Sequence, residues 1–258
     1  MTSNAERPLP TLFRGDSLPP PVLNANSRGR TFADHYATDG LLAKAADGGR
    51  SQDLNRSPEQ LVAVHVGYRT NNQSESYAAY HSPLISFSSE ESAAWHFLDR
   101  TAKKSFTDCR IDDATHFMWK LSGVRARPLS PGRFRFEFRA STANVDRFRE
   151  EFVGAVHGGE LSTLHRALVT QIVHGHVQGD TRTHVADIID VSTFLGTLDA
   201  ARHEIDPEVL SRARDFGSRW KEWLIYPMDF DPDLQGFSSR FPLNDHLDLH
   251  RFAREATS

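Results

Sequence analysis

Three polar positions in this chain of 258 residues sit where their neighbours should hold them still. Arg14 closes the short apolar run Leu12-Phe13 and is followed by Gly15-Asp16-Ser17, then by Pro19-Pro20-Pro21. Proline has no N–H to give a ladder, so the stretch reads as a brief strand ending at the arginine. A guanidinium there can point into a cleft, where its planar fork suits phosphate. On position alone, a surface arginine ahead of a stiff segment is the simpler account. Ser86-Phe87-Ser88 closes the strand-like "SPLISFSS" at 82–89. Glu222 opens the apolar run "EWLIYP", although glutamate is depleted in strands. Taken alone, a glutamate at a strand start is usually just solvated.

The elements that must carry these residues alternate between short strands and helices, without a repeat. "QLVAVHVGYR" (60–69) is β-branched and predicts a strand, which would carry His65. "SSEESAAWHFLDRTAKK" predicts a helix, with Ser88 and Glu91 at capping-box spacing. "HFMWKL" (116–121) is a buried strand candidate, and "RFRFEFR" (133–139) alternates so strictly that Phe134, Phe136 and Phe138 share one face. Later segments have helical apolar spacing: Val145, Phe148, Phe152 and Val156 form one stripe, and "ELSTLHRALVTQIVHG" and "THVADIIDVSTFLGTLDAARHE" follow. "DPEVLSRARDFGSRW" has Asp206 as N-cap and Pro207 at the first helical position, and leads straight into "KEWLIYP" (221–227), a compact strand. No linker interrupts the pattern. A single domain over 1–258 with a helical insertion at 142–215 is expected.

Composition narrows the partners. Net charge is −4, pI is near 6.3 and mean hydropathy is −0.50. Nothing in that balance attracts duplex nucleic acid or an anionic membrane in bulk. The start "MTSNAERPLP" has no apolar core of a signal peptide, and no run is apolar for 18 residues, so neither a leader nor a membrane span is expected. Cys109 is the single cysteine, which rules out an internal disulfide and a cysteine-based zinc site. GxGxxG, P-loop, nucleophile-elbow and HExxH patterns are all absent.

Two further clusters invite weighing. His174, His176, His184 and Asp187 could ligate a cation. With thirteen histidines in the chain and no ligand signature, coincidence is favoured and no metal is expected. Lys120, Arg125, Arg127, Arg133, Arg135 and Arg139 concentrate positive charge, opposed locally by Glu137. A solvated strand face is the plain reading, and a docking surface for an anionic target is the alternative.

Taken together, the first three motifs and the strand candidate at 116–121 resemble the ADP-ribosyltransferase toxins of the cholera, heat-labile enterotoxin and pertussis group. "LFRGDSLPP" is similar to that group's first strand: an aromatic residue, Arg, any residue, then Asp-Ser-any-Pro-Pro. "LISFSS" resembles its Ser-Thr-Ser strand, with Phe87 where threonine is commoner, and "HFMWKLSG" resembles the aromatic-rich strand after it. "WKEWLIYP" resembles the last catalytic strand and its glutamate. The resemblance implies an α+β fold of two small, mostly antiparallel sheets meeting at an NAD cleft. NAD would be the substrate, with ADP-ribose passed to a macromolecular acceptor, protein or nucleic acid. Glu222 and Ser86 would be catalytic: Glu222 at the ribose 2′-OH and the growing anomeric charge, Ser86 holding Glu222 or the nicotinamide ribose. Arg14, Asp16, His65, Phe87 and Ser88 would serve NAD, with Arg14 at the pyrophosphate or the adenosine-side ribose and Phe87 on the nicotinamide face.

The departures narrow the acceptor. Arginine-modifying members carry a second glutamate two residues before the catalytic one, whereas this chain has Trp220. An indole donates and cannot accept, so it cannot take a proton from a guanidinium. The spacing from Ser86 to Glu222 is long, which leaves Glu160 as a substitute. The expectation is a toxin- or effector-type mono-ADP-ribosyltransferase acting in the cytoplasm, its own or that of a target cell, and open to an immunity or inhibitory partner. An NAD glycohydrolase and a non-catalytic binding module are the alternatives.

Overall fold

The computed structural model describes residues 5–18, 40–43, 56–67, 82–97, 115–141, 181–228, 230–231, 236–237 and 240–252. Its centre is a nine-stranded sheet, all of whose neighbouring strands run antiparallel. In chain order these strands are β1 (Arg7–Pro8), β2 (Leu12–Leu18), β4 (Ile85–Ser88), β5 (Thr115–Leu121), β6 (Arg125–Ser130), β7 (Arg133–Arg139), β8 (Thr183–Asp190), β9 (Glu222–Pro227) and β13 (Leu247–Phe252). Across the sheet the order is β1-β6-β7-β8-β9-β4-β2-β5-β13. Two small ribbons accompany it, β3 (Leu41–Leu42) with β12 (Arg240–Phe241), and β10 (Phe230–Asp231) with β11 (Gly236–Phe237).

Strand alternation gives the sheet two apolar faces. One face buries Leu12, Ile85, Phe87, Trp119, Phe136, Phe138, Ile188, Trp223 and Ile225. The expected sharing of a face along β7 holds: Phe136 and Phe138 are buried together and Phe134 packs against the same cluster. The other face carries Ile189, Leu224 and Tyr226 under three helices: α1 (Pro58–Gly67), α3 (Val191–Gly196) and α4 (Pro207–Trp220). A further helix, α2, spans 91–97. The helices lie close together. A Cβ on Gly67 would come within 2.5 Å of the Val209 carbonyl oxygen, so only glycine lets α1 approach α4 this far.

The ends of α4 are punctuated as expected. Asp206 Oδ1 accepts from the N–H groups of Glu208 and Val209, Pro207 opens the helix, and Lys221 closes it in the left-handed conformation at φ 47°. That left-handed residue turns the chain directly into β9, with Glu222 first.

Several expectations need correction. Of the segment expected to be a strand at 60–69, residues 60–67 lie in helix α1. Ser57 Oγ accepts from Gln60 N–H and Gln60 Oε1 accepts from Ser57 N–H, which is a complete capping box. The helical reading of "THVADIID" is also wrong: those residues are β8, in the middle of the sheet. The stretch from β2 does not end at Arg14 but runs on to Leu18. Ser88 and Glu91 do not make a capping box. Ser88 is the last residue of β4, and its hydroxyl accepts from Glu90 N–H ahead of α2. The two expected sheets are hydrogen-bonded into one. Pro19–Pro21, Cys109, the stripe from Val145 to Val156, Glu160, His174 and His176 lie outside the described residues.

Candidate active site

The middle of the sheet brings the three motif strands side by side in the order β9-β4-β2. Between β4 and β9 the register sets Ser88 opposite Glu222 and Ser86 opposite Leu224. Residues directly opposite, and those two apart on one strand, share a face. Ser86, Ser88 and Glu222 therefore look the same way, toward the helices. Between β4 and β2 the ladder is reduced, among the described residues, to one pair, Phe13 with Ser88. Beyond it the strands part, and β2 continues its pairing with β5 alone, Arg14 opposite Trp119.

Arg14 spans that parting. Its Nη1 donates to the Ser86 carbonyl at 3.1 Å, capping a strand edge that β2 no longer covers. This bond fixes the side chain of a group whose planar fork of N–H donors suits an anion. Arg14 is thus in the middle of a strand and already engaged by protein, rather than loose at a terminus.

Helix α1 supplies the next group. His65 is 3% exposed, and its Nδ1 lies 2.7 Å from Ser82 Oγ and its Nε2 2.9 Å from Ser86 Oγ. Leu84 N–H donates to Ser82 Oγ at 3.2 Å, which steadies the far end of the chain. In a neutral imidazole one nitrogen donates and the other accepts. The tautomer of His65 therefore decides whether the Ser86 hydroxyl donates to the ring or is free to donate elsewhere. Ser82 was not anticipated from sequence. Its signal would have been the placement of a serine four residues before Ser86.

Glu222 is 4% exposed. The turns around it are tied down: Ser89 N–H donates to the Lys221 carbonyl at 3.1 Å, and Ser88 Oγ donates to the Trp220 carbonyl at 2.8 Å. The Trp220 ring stacks on His96 at 4.5 Å and meets Phe97 edge-on at 5.1 Å, joining α2 to the end of α4. Position 220 is therefore part of an aromatic brace at the end of α4, two residues ahead of Glu222.

Not every expected residue joins the site. Phe87 is 3% exposed and lies in the core on the opposite face from Ser86, so it cannot pack on a nicotinamide there. Ser88 spends its hydroxyl on Glu90 and Trp220 and holds the strand end rather than a ligand. Asp16 follows in β2 opposite Phe117; its side chain lies outside the described residues. His184 and Asp187 fall on opposite faces of β8, the first stacked on Phe138 and the second taken by arginines. Those two therefore cannot share one cation. The chain's relation to known proteins adds nothing further: no family model matches it, and no curated protein or solved structure is significantly similar.

Proposed function

We propose that this protein is an NAD-dependent mono-ADP-ribosyltransferase acting on a macromolecule, with NAD as its substrate. The observation that carries the reading is the convergence at one junction of motif residues far apart in sequence. Arg14 bonds the backbone of Ser86 across 72 positions, and Glu222 lies beside Ser88 on the next strand. The parting of β2 from β4 supports a sheet that works as two lobes with a cleft between them. His65, expected loosely at the same site, is bonded to Ser86 from a helix instead of a strand.

In this reading the C1′–N bond between ribose and nicotinamide breaks, and the bonding pair leaves with nicotinamide, which departs neutral. Positive charge grows at C1′ and the ring oxygen. The Glu222 carboxylate offsets that charge and takes a hydrogen bond from the 2′-OH. A fixed carboxylate in a largely dry setting contributes about 3 kcal/mol to such a transition state. Ser86, positioned by His65, orients the ribose or the carboxylate. The Arg14 guanidinium would meet the pyrophosphate as a charged hydrogen-bond donor. The acceptor's nucleophile attacks C1′ and loses its proton to solvent or base. Trp220 supplies no proton acceptor, so an arginine side chain is a poor acceptor.

Labelled NAD added to the purified protein in a cell lysate tests this, with nicotinamide release and label in protein and nucleic-acid fractions measured separately. Label on a macromolecule supports the transferase. Nicotinamide release without transfer points to a glycohydrolase. Neither, with NAD still bound, leaves a binding module.

A further inference from the structure

Away from this site, the helix-bearing face of the sheet carries a strip of arginines on β6 and β7. The register puts Arg127 opposite Arg135, and Arg135 opposite Asp187. Alternation then places Arg125, Arg127, Arg133, Arg135, Glu137 and Arg139 on one face. The Asp187 side chain is 0% exposed, and both its oxygens are taken by guanidiniums. Arg133 and Arg135 each spend their Nε and Nη2 edge on it and keep Nη1 for another acceptor. The hydrogen bond to Asp187 also raises the Arg135 pKa, against the effect of burial. Arg125 pairs at the rim with Glu6 at 3.9 Å.

The remaining charge is unbalanced. Arg127 and Arg139 have no carboxylate within ion-pair distance among the described residues, and Arg127 directly faces another arginine. Like charges opposite each other across a ladder are destabilising. Such a conflict persists where an external anion resolves it. We propose that this face binds the phosphodiester backbone of a nucleic acid strand. Two arginines clamped on a buried carboxylate are already ordered, so a ligand does not have to freeze them. The two non-bridging oxygens of a phosphodiester can bridge Arg127 and Arg135 as the Asp187 carboxylate bridges Arg133 and Arg135. No aromatic ring on this face is exposed among the described residues, so contact is with backbone and not with stacked bases. The chain's net charge of −4 favours binding at this strip alone, and each phosphate its arginines neutralise releases counterions, which makes binding salt-dependent. The proposal stands apart from the NAD reading.

The test uses the full chain and fluorescence anisotropy with labelled single-stranded RNA and DNA of about 20 nucleotides, over about 50 to 200 mM salt. Binding should weaken steeply with salt and depend little on sequence. Arg127→Ala with Arg139→Ala should cut affinity at least about tenfold and lower the log–log salt slope by about 1.4. These side chains have no carboxylate partner among the described residues, so circular dichroism should be unchanged. Arg202→Ala, in the turn after α3 and off the sheet, should leave binding as it was. Absence of binding at low salt, or full binding by the double variant, overturns the proposal. So does tighter binding of poly-glutamate than of either oligonucleotide, which would mark an acidic protein as the partner.

Discussion

Arg14 and Ser86 are bonded side chain to backbone at the point where β2 leaves β4, with the arginine Nη1 3.1 Å from the serine carbonyl oxygen. The contact serves the fold and the proposed site at once. It closes an open strand edge and fixes a guanidinium at the β2–β4 junction, on the Trp119 side of the sheet, across from the face that carries the Ser86 hydroxyl.

Arg14→Lys separates these roles from simple charge. A lysine can reach one acceptor as a point charge but cannot hold the carbonyl and grip a pyrophosphate with a planar fork. NAD affinity should fall at least about tenfold and stability by about 1 kcal/mol. Calorimetric titration with NAD and a thermal melt read the two effects. Unchanged NAD affinity would remove Arg14 from the site.

Glu222→Gln keeps size and much of the hydrogen bonding but deletes the charge. Nicotinamide release should drop by about two to three orders of magnitude while NAD binding persists. A variant that folds, binds NAD and turns over at the parental rate would falsify the assignment and move attention to Glu160.

Ser86 and His65 should behave as a coupled pair. Ser86→Ala and His65→Ala each remove one end of the 2.9 Å contact, and the His65 change also removes one of the partners of Ser82 Oγ. A double-mutant cycle on nicotinamide release should give a coupling of about 1 kcal/mol or more. Additive effects would mean that His65 merely fills space behind the strand.

Tyr226 gives a pH signature for the face under the helices. Burial pushes its pKa up to about 12, with nearby Arg133 pulling the other way. The phenol is neutral in the folded protein well above the pH at which an unfolded tyrosine ionises. Its contribution is intact below pH about 10 and is lost as pH rises toward about 12, a change of about 2 to 3 kcal/mol. Urea midpoints across this range should fall more steeply for the parent than for Tyr226→Phe.

What the sequence disclosed follows from how each element is exposed. β7 was legible because one face is apolar and the other charged, so its alternation is clean. Helix α4 was legible because it has a buried stripe and clear caps at Asp206 and Pro207. Helix α1 was misread because Leu61, Val62, Ala63 and Val66 are all buried, and a helix covered on most sides shows no stripe. Its Ser57-Pro58-Glu59-Gln60 start was the better signal. β8 failed for the converse reason. Ala186, Asp187, Ile188 and Ile189 are all buried, so a strand covered on both faces lost its alternation and mimicked helical spacing. At the proposed site, short motifs singled out Arg14, Ser86 and Glu222 as candidates, but no local pattern could show that Phe87 faces the core or that Ser82 reaches His65.

The narrow join between β2 and β4 has a mechanical consequence. The backbone ladder ties β2, β5 and β13 to the other six strands through Phe13 and Ser88 alone among the described residues. The stiffness of that pivot must come from side chains, because Leu12, Trp119, Leu121 and Leu247 from one side interlock with Ile85, Phe136, Ile188 and Trp223 from the other. The gap that Arg14 bridges is therefore gauged by core volume. Trimming an aromatic ring far from any ligand would retune its width without breaking a strand.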